Sequence, residues 1–226
     1  MCGRYSLAGA DPAALRRRFP IGESVQVRRR FNVAPGDQVL AVTTDREGAP
    51  RGELLRWGLV PSWAEDPRTL GLKLINARSE TMLTNGAFRD ARRCLVIADG
   101  FYEWEARPGQ PKQPWWVTRA DGEPFAFAGL WSTWRPGSDV EPLRTVAIVT
   151  TTAGDRLAHV HERMPVMLPA GAESAWLDRG TGPDALLDLC APLRDTAMRA
   201  VGPAVGDARY DGPDCLRPAP APLTLF

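Results

Sequence analysis

The most reactive groups that this sequence can present lie at its amino terminus, where Cys2 directly follows Met1. Removal of Met1 would leave Cys2 with a free α-amine and a thiol on adjacent carbons. An α-amine has an ordinary pKa of about 7.7 to 8.0, so part of it is neutral at physiological pH and can attack an aldehyde. The thiol can then close onto the imine carbon and form a five-membered thiazolidine. A cysteine at this position is also compatible with an ordinary buried residue, so the chemistry needs further support.

Six short motifs follow one another along nearly the whole chain. They are CGRY (2–5), FNVAP (31–35), RWGLVPSW (56–63), NARSET (76–81), DGFYEW (99–104) and HERMP (161–165). In this order they resemble the SOS-response-associated peptidase (SRAP) family of HMCES-like, abasic-site-processing proteins. The resemblance implies a protein that crosslinks itself to abasic sites in single-stranded DNA and shields them from nucleases and error-prone bypass.

The resemblance implies a catalytic role for four residues. Cys2 is similar in position and setting to the family nucleophile, and Asn76 resembles the asparagine that hydrogen-bonds the amino-terminal cysteine or the ring that it forms. Glu103 matches the family's active-site glutamate, which can take a proton from the ammonium group and return one to the sugar oxygen. His161 matches the family histidine, whose imidazole can shuttle protons, although a lone histidine between apolar stretches is often a packing residue.

The resemblance also implies a binding site for single-stranded DNA. Three arginines adjacent to reacting positions resemble phosphate ligands, because a guanidinium can hold a phosphate with two hydrogen bonds: Arg4, Arg78 and Arg163. Asn32 and Pro35 resemble residues that line the DNA channel. Among eight tryptophans, Trp63 in a Pro-Ser-Trp turn is the best candidate for base stacking. Most of the others are expected in the core, such as Trp104, Trp131 and Trp176.

Two arginine triplets and a second histidine match no motif. The triplets at 16–18 and 28–30 are more simply explained as solvated faces that assist DNA binding electrostatically at most. On a strand, His159 and His161 would share a face and could suggest a metal pair. Because no Cys-x-x-Cys or carboxylate at ligand spacing accompanies them, we expect no metal and no cofactor. We place His159 at the surface or behind the site.

Two other functions are compatible with the same residues. The first is an amino-terminal-nucleophile hydrolase, a peptidase or amidase in which Cys2 attacks a carbonyl and its own amine acts as the base. The second is a module that binds modified or single-stranded DNA without covalent chemistry, through the arginines and Trp63. These two hypotheses predict different effects of Cys2→Ala, which abolishes hydrolysis but leaves the binding activity of a non-covalent module intact.

Composition and charge restrict the class of protein. The chain has 226 residues with a formal net charge of +1, and residues 1–100 carry 16 basic and 11 acidic side chains, which makes this half the more basic one. No stretch approaches the roughly 20 apolar residues of a membrane span, and no secretory signal is apparent. With four cysteines that lack paired spacing, we expect a cytoplasmic monomer without membrane attachment, associated with the nucleoid when bound to DNA.

Short β-prone segments dominate the pattern that must position these residues. Strands are predicted at 39–44, 53–59, 93–98, 100–105, 114–118, 124–131, 145–151 and 165–168, with a hairpin connection at 45–48. Helices are predicted after the Asp11-Pro12 start and at 79–89, 172–177 and 184–190. Regular βαβ alternation is missing. The sequence therefore predicts an α+β fold with a curved, largely antiparallel β-sheet or barrel core and a few peripheral helices. We assign residues 1–216 to a single domain and the proline-rich residues 217–226 to a surface tail.

Overall fold

Strands make up most of the molecule in the computed structural model, which describes residues 2–9, 11–67, 72–135, 137 and 141–220. The strands are β1 (Tyr5–Leu7), β2 (Arg30–Val33), β3 (Gln38–Thr44), β4 (Pro50–Trp57), β5 (Asn76–Arg78), β6 (Arg92–Ala98), β7 (Gly100–Glu105), β8 (Gln113–Arg119), β9 (Phe125–Trp134), β10 (Leu143–Thr152), β11 (Arg163–Pro165) and β12 (Thr196–Ala200). The helices are α1 (Pro12–Arg18), α2 (Glu173–Leu177) and α3 (Pro183–Asp188), and two 3-10 turns follow at Pro203–Gly206 and Pro213–Leu216. None of the described helices is long and apolar enough to span a membrane.

Five strands close into a ring in the order β10, β4, β3, β6 and β9, because β9 pairs with β6 on one edge and with β10 on the other. The long strand β10 connects the two ends of the ring. One of its edges pairs in parallel with β4 and then with β5, and the other pairs antiparallel with β9 and then with β11. All other pairings in the described part of the chain are antiparallel. The predicted fold class is therefore confirmed.

The alternation of side chains along the strands separates the interior of the ring from its exterior. Interior side chains come from all five ring strands, for example Val39, Trp57, Val96, Phe127 and Ile148. The opposite face of β3, β6, β9 and β10 packs against α1, α2 and α3 and against the turns near Met82 and Phe88. Burial of these two apolar faces supplies the main driving force for folding.

The second sheet, with strand order β12, β8, β7, β1 and β2, closes one end of the ring. Tyr5 of β1 packs on Trp57 and on Phe127, with ring centroids 5.5 and 5.7 Å apart. Phe101 of β7 also packs edge-on against Phe127 at 6.2 Å. The first residues of the chain are therefore held between the ring and the second sheet.

Asp99 connects the two sheets, since it lies between β6 of the ring and β7 of the second sheet. Its buried carboxylate accepts hydrogen bonds from the Ser6 hydroxyl and from the Ala8 and Gly9 amides, each at 2.6 Å. These bonds satisfy a charge that would be costly to bury unpaired. Asp99 thus fixes the end of β1 and the start of β7 relative to each other.

Most predicted strands are confirmed, whereas the longest predicted helix is absent and several short strands were missed. The helix cap at Asp11 is present, since its carboxylate accepts from the Ala14 amide at 3.1 Å. The predicted helix at 79–89 is wrong, because this segment is a series of turns rather than a helix. The strand predicted at 165–168 is centred earlier, at β11. The three-residue strands β1 and β5 were missed, as were β2 and β12, because so few residues show no periodicity.

The end of the described chain returns to the second sheet. The Gly202 amide donates to the Arg217 carbonyl at 2.9 Å, and the Ala219 amide donates to the Ala200 carbonyl at 3.0 Å. Residues 221–226 lie outside the described residues. The division into a domain of residues 1–216 and a tail of residues 217–226 stays a prediction.

The contact between Gly100 and Trp116 yields a test of the packing between β7 and β8. A Cβ at Gly100 would lie 2.6 Å from Cε2 of Trp116 and closer still to its Nε1, which itself donates to the Ser6 hydroxyl at 2.9 Å. We expect Gly100→Ala to lower the free energy of unfolding by about 1–3 kcal/mol, as overpacking does. Urea denaturation measures this change. Gly86→Ala is the matched control, because nothing lies within 4 Å of a Cβ there; equal effects of the two substitutions would contradict the packing argument.

Candidate functional site

Four segments that are far apart in sequence supply the predicted catalytic residues. Cys2 precedes β1, and Glu103 lies on β7, which pairs with β1 through Tyr5 and Phe101. Asn76 opens β5 on the edge of β10, and its Nδ2 donates to the Cys2 carbonyl at 2.9 Å. This bond joins β5, which pairs with the ring strand β10, to Cys2, which precedes β1 of the second sheet. It fixes the backbone of Cys2 at the closed end of the ring.

The Cys2 side chain is fully buried in this structure. Burial raises the pKa of the thiol far above its ordinary value, and the negative charge of Glu103 raises it further. The sulfur lies 3.9 Å from the Arg4 carbonyl oxygen, a weak contact. Cys2 is therefore held as a neutral thiol, and a substrate must be brought to it out of bulk water.

Glu103 is buried close enough to Cys2 for its charge to act on the thiol. It shares a face of β7 with Phe101, and only 4% of its surface is exposed. Burial raises the pKa of its carboxyl, while the positive charge of the amino terminus and His161 oppose the shift. A raised pKa makes a carboxyl a better proton donor at higher pH than an ordinary glutamate, and its carboxylate a stronger base. Glu103 thus has the properties of a general acid and base beside the Cys2 thiol.

His161 is half-buried at the end of a run of turns that leads into β11. The Arg163 backbone amide donates to its Nδ1 at 2.9 Å. Since Nδ1 accepts this bond, the neutral imidazole carries its proton on Nε2. The charge of His161 acts on the Glu103 carboxyl. Both groups therefore belong to one electrostatic unit.

Asn76 also presents an unused acceptor. Its Oδ1 is buried and has no hydrogen-bond partner among the described residues, although its Nδ2 is bonded to Cys2. A buried amide oxygen without a donor costs about 1–3 kcal/mol. A nitrogen that carries protons beside Cys2 would satisfy it.

The three arginines expected at phosphates differ in their surroundings. Arg78 is exposed and lies two residues after Asn76, on the same face of β5. Arg4 is half-buried, and its guanidinium donates to the Asn32 Oδ1 at 2.9 Å and to the Val205 carbonyl at 2.8 Å. Only Arg78 has a largely exposed guanidinium, and the other two are already engaged by protein groups.

Arg163 is engaged most strongly. Its guanidinium forms two hydrogen bonds to the Glu80 carboxylate, at 2.6 and 2.9 Å, and a third to the Thr150 carbonyl at 2.7 Å. Glu80 also belongs to the NARSET motif, but sequence reasoning did not single it out. A carboxylate that bonds both arms of a guanidinium occupies the positions of two phosphate oxygens. Any phosphate ligand of Arg163 must therefore compete with Glu80.

The remaining DNA-binding candidates are Asn32, Trp63 and Pro35. Asn32 is fully buried, and its amide donates to the Val205, Asp207 and Tyr210 carbonyls at 3.3, 2.9 and 2.8 Å. In this structure Asn32 lines no open channel, because its amide is used to hold the C-terminal segment and Arg4. Sequence reasoning also missed Asp211, which accepts from the Phe31 and Asn32 amides.

Trp63 is 59% exposed, and its Nε1 donates to the Gly86 carbonyl at 3.3 Å. This bond orients the indole while leaving most of its surface accessible, which suits base stacking. Pro35 is half-buried. Of the tryptophans named as expected core residues, Trp131 and Trp176 are buried, whereas Trp104 is half-buried.

His159 is exposed and stacks edge-on against Trp115, with ring centroids 6.2 Å apart. It lies in a run of turns rather than on a strand, so the geometry that would pair it with His161 on one face is not formed. Among the described residues, no group of three or more His, Cys, Asp or Glu side chains could hold a metal ion.

A comparison with protein families identifies the chain. The family model described as SOS response associated peptidase (SRAP) matches residues 1–208. The chain belongs to the SRAP family. The family match covers every residue of the catalytic group described above.

Individual SRAP relatives agree with this assignment. The chain is 38% identical over 209 residues to the abasic site processing protein YoaM of Bacillus subtilis, which covers 88% of this chain and 89% of the relative. It is 34% identical over 190 residues to the abasic site processing protein HMCES of Gallus gallus, which covers 73% of this chain and 56% of the relative. A crystal structure of a protein from Bacteroides thetaiotaomicron shares the SRAP fold, with a TM-score of 0.85 at 20% identity over 96% of this chain and all of that chain.

The pair of Glu80 and Arg163 makes the stability of this SRAP protein depend on pH. The hydrogen bond from Arg163 lowers the pKa of the Glu80 carboxyl. A lowered carboxyl pKa stabilises the fold above the ordinary glutamate value, and this contribution is lost as the pH falls through the lowered pKa. We expect Glu80→Gln to destabilise the protein at pH 7 by about 0.2–1 kcal/mol, because the pair is partly exposed. The difference from the wild type should disappear in acid.

Urea denaturation across this pH range measures the effect. Glu47→Gln is the control, since Glu47 is an exposed residue in the connection between β3 and β4. A Glu80→Gln variant whose destabilisation is the same in acid as at neutral pH would refute the ion pair.

Proposed function

We propose that this protein captures abasic sites in single-stranded DNA by forming a thiazolidine with Cys2. The observation that carries the proposal is the bond from Asn76 to the Cys2 carbonyl, which holds position two beside the buried Glu103 carboxyl. The relatives named as abasic site processing proteins support an abasic site as the substrate. Since all four catalytic residues come from one chain, we propose that a monomer suffices.

The reaction begins when the α-amine of Cys2 attacks the C1′ aldehyde of the ring-opened deoxyribose. The C–N bond forms and the carbonyl oxygen takes up a proton, which gives a carbinolamine. Loss of one water gives an imine. The sulfur of Cys2 then adds to the imine carbon while the thiol proton moves to nitrogen, so the overall condensation releases one water and closes the five-membered ring.

Glu103 supplies the proton transfers in this scheme. Its raised pKa keeps the carboxyl protonated to a higher pH than that of an ordinary glutamate, which suits protonation of the departing hydroxyl. The resulting carboxylate accepts a proton from the thiol or the ammonium group. His161, whose charge acts on Glu103, holds or relays the second proton. The Oδ1 of Asn76 accepts a hydrogen bond from the reacting nitrogen, which relieves its buried, unsatisfied state.

Closure of the ring also protects the DNA strand. An imine makes the adjacent C2′ proton acidic, and its removal expels the 3′ phosphate and cleaves the strand, which is abasic-site lyase chemistry. Addition of the thiol removes the imine before this elimination. We therefore propose that any lyase activity is a minor branch that grows when the sulfur is absent.

The DNA must reach a residue that is fully buried in this structure. A single strand with a missing base can bend its sugar toward the site, because no complementary strand holds it. Arg78 is exposed on the face of β5 that carries Asn76, so it can bind a phosphate adjacent to the lesion. Arg163 can bind a second phosphate if the DNA displaces Glu80, and Trp63 can stack on an unpaired base.

Release of Met1 must precede the reaction, although Met1 itself lies outside the described residues. We propose that the same site performs it. The Cys2 thiol adds to the Met1 carbonyl carbon, the C–N bond breaks to leave a thioester and a free α-amine, and water hydrolyses the thioester to release methionine. Glu103 can donate the proton that the departing amine requires.

Intact-mass spectrometry and denaturing gel electrophoresis test the crosslink. We expect wild-type protein to form an adduct with abasic single-stranded DNA that survives heat and detergent and whose mass equals protein without Met1 plus DNA minus one water. Cys2→Ala should abolish this adduct. Cys2→Ser should give a weaker, reversible adduct and more strand cleavage, because oxygen closes a less stable ring than sulfur.

Cys190→Ala is the matched control for loss of a buried thiol, because Cys190 packs on the helix-covered exterior of the ring rather than beside Cys2. A stable adduct with Cys2→Ala, or with protein that retains Met1, would overturn the proposal. Turnover of added peptides without any DNA adduct would instead establish a peptidase.

The dependence of the crosslinking rate on pH tests Glu103. Because burial raises the pKa of this carboxyl, the protonated form persists to a higher pH than for an ordinary glutamate. The rate at saturating DNA should therefore fall as the pH rises through this raised pKa. Glu103→Gln should lack this fall in rate with rising pH, and it should react at least about 10²-fold more slowly than the wild type. Glu105→Gln, on the same strand but at its half-buried end, is the control. An unchanged pH profile in Glu103→Gln would exclude the assigned role.

A further inference from the structure

A second arginine cluster lies where β3 ends and β6 begins. Arg92 opens β6 and pairs with Trp131 of β9. The residues that line this cluster do not include Cys2, Asn76, Glu103 or His161. The cluster is therefore distinct from the site proposed for the crosslink.

Four arginines line a surface cavity of about 470 Å³ at this end, and no acidic side chain lines it. The lining residues are Arg46, Arg92, Arg93 and Arg179, together with Thr44, Ala91 and Leu177. Arg46 lies in the turn between β3 and β4, and Arg179 follows α2. Three separate parts of the chain thus direct positive charge to one cavity.

Three of the four guanidiniums are held in place by backbone carbonyls rather than by carboxylates. Arg92 donates to the Thr44 carbonyl at 2.5 Å, and Arg179 donates to the Asp45 and Arg46 carbonyls at 2.6 and 3.3 Å. Arg93 donates to the Trp176 and Asp178 carbonyls at 2.7 and 2.5 Å. Each guanidinium has five N–H donors, so these contacts orient it while leaving other donors for a ligand.

Carboxylates near the cluster have hydrogen-bond partners of their own, while the charge of Asp178 opposes the effect of burial on the pKa of Arg93. Glu53 is bonded to Arg144 and to the Thr43 hydroxyl. Asp45 accepts from the Ala49 amide, and Asp178 accepts from the Gly180 amide. Burial and then repulsion from Arg179, Arg144 and Arg51 lower the pKa of Arg92, with Glu53 opposing the shift. An anion in the cavity would relieve this repulsion.

We propose that this cavity binds a phosphate group. Arginine suits phosphate because its planar fork donates two parallel hydrogen bonds, and several arginines from fixed directions match a tetrahedral anion better than a planar carboxylate. Two sources share this chemistry: a backbone phosphate of the DNA strand well beyond the lesion, or a free phosphorylated small molecule. The site goes beyond the proposed crosslinking, because it requires neither Cys2 nor an abasic site.

The test uses the full chain with Arg46 and Arg179 both changed to Gln, and Arg17 and Arg29 both changed to Gln as the matched control. The control arginines are exposed residues of the two triplets that do not line the cavity, and both double variants change the net charge equally. Thermal unfolding confirms that each variant is folded. The probes are inorganic pyrophosphate and intact single-stranded DNA without abasic sites, so that no crosslink can form.

Isothermal titration with pyrophosphate tests the free-anion source. A strand source is tested by DNA binding at several salt concentrations, with oligonucleotides of about 5 and about 16 nucleotides, the range that single-strand-binding folds cover. We expect the variant with Arg46 and Arg179 changed to Gln, the cavity variant, to bind at least one probe about tenfold more weakly, as for loss of a charge-assisted hydrogen bond. Loss of affinity for the long oligonucleotide alone, with a salt slope lower by about 0.7 for each contact, identifies the strand.

Weaker binding of pyrophosphate with unchanged DNA binding identifies a free phosphorylated ligand. If neither probe binds the cavity variant more weakly than the control variant, the phosphate site is refuted. Crosslinking of a short abasic oligonucleotide should be unchanged in the cavity variant, so failure of the crosslinking proposal and failure of this one are distinguishable.

Discussion

The pairing of β1 with β7 is the contact on which the rest of the site depends. Three residues of β1 hold the first residues of the chain, and register with β7 brings Cys2 alongside Glu103. Ordered chain ends are unusual unless a sheet or a docked element holds them. Here Asp99 fixes the far end of β1 through three short hydrogen bonds, and Asn76 fixes the near end at the Cys2 carbonyl. The closed ring supplies the rigid wall against which both ends are held.

The apolar surroundings of the site set its chemistry as much as its catalytic groups do. Burial raises the pKa of both the Cys2 thiol and the Glu103 carboxyl, so each is favoured in its neutral, protonated form. A neutral thiol cannot act as a strong nucleophile by itself, and it must transfer its proton as the sulfur bonds to carbon. The neighbouring Glu103, as a carboxylate, can accept that proton. Electrostatic coupling with His161 then sets how readily Glu103 exchanges the proton.

The sequence predicted the long strands and the candidate site residues. It did not predict which residues these side chains contact. Strands such as β7 and β10 carry enough β-prone residues to be recognised, whereas β1 and β5 have only three residues each and show no pattern. Asn76 and Glu103 were selected through motifs rather than periodicity. Glu80 and Arg163 are 83 residues apart, so nothing local could reveal their ion pair. The burial of Asn32 likewise follows from carbonyls of the C-terminal segment, which only the folded chain brings near.

The short connection between Cys2 and β1 also limits what can be attached at this end of the protein. Only Gly3 and Arg4 separate Cys2 from the first strand, and the register of Tyr5 with Phe101 leaves no slack to accommodate extra residues. Under the proposed chemistry, a purification tag joined at this end and left uncleaved would block the α-amine of Cys2 and leave the polypeptide inert. An unblocked Cys2 is therefore part of the architecture of the reactive centre.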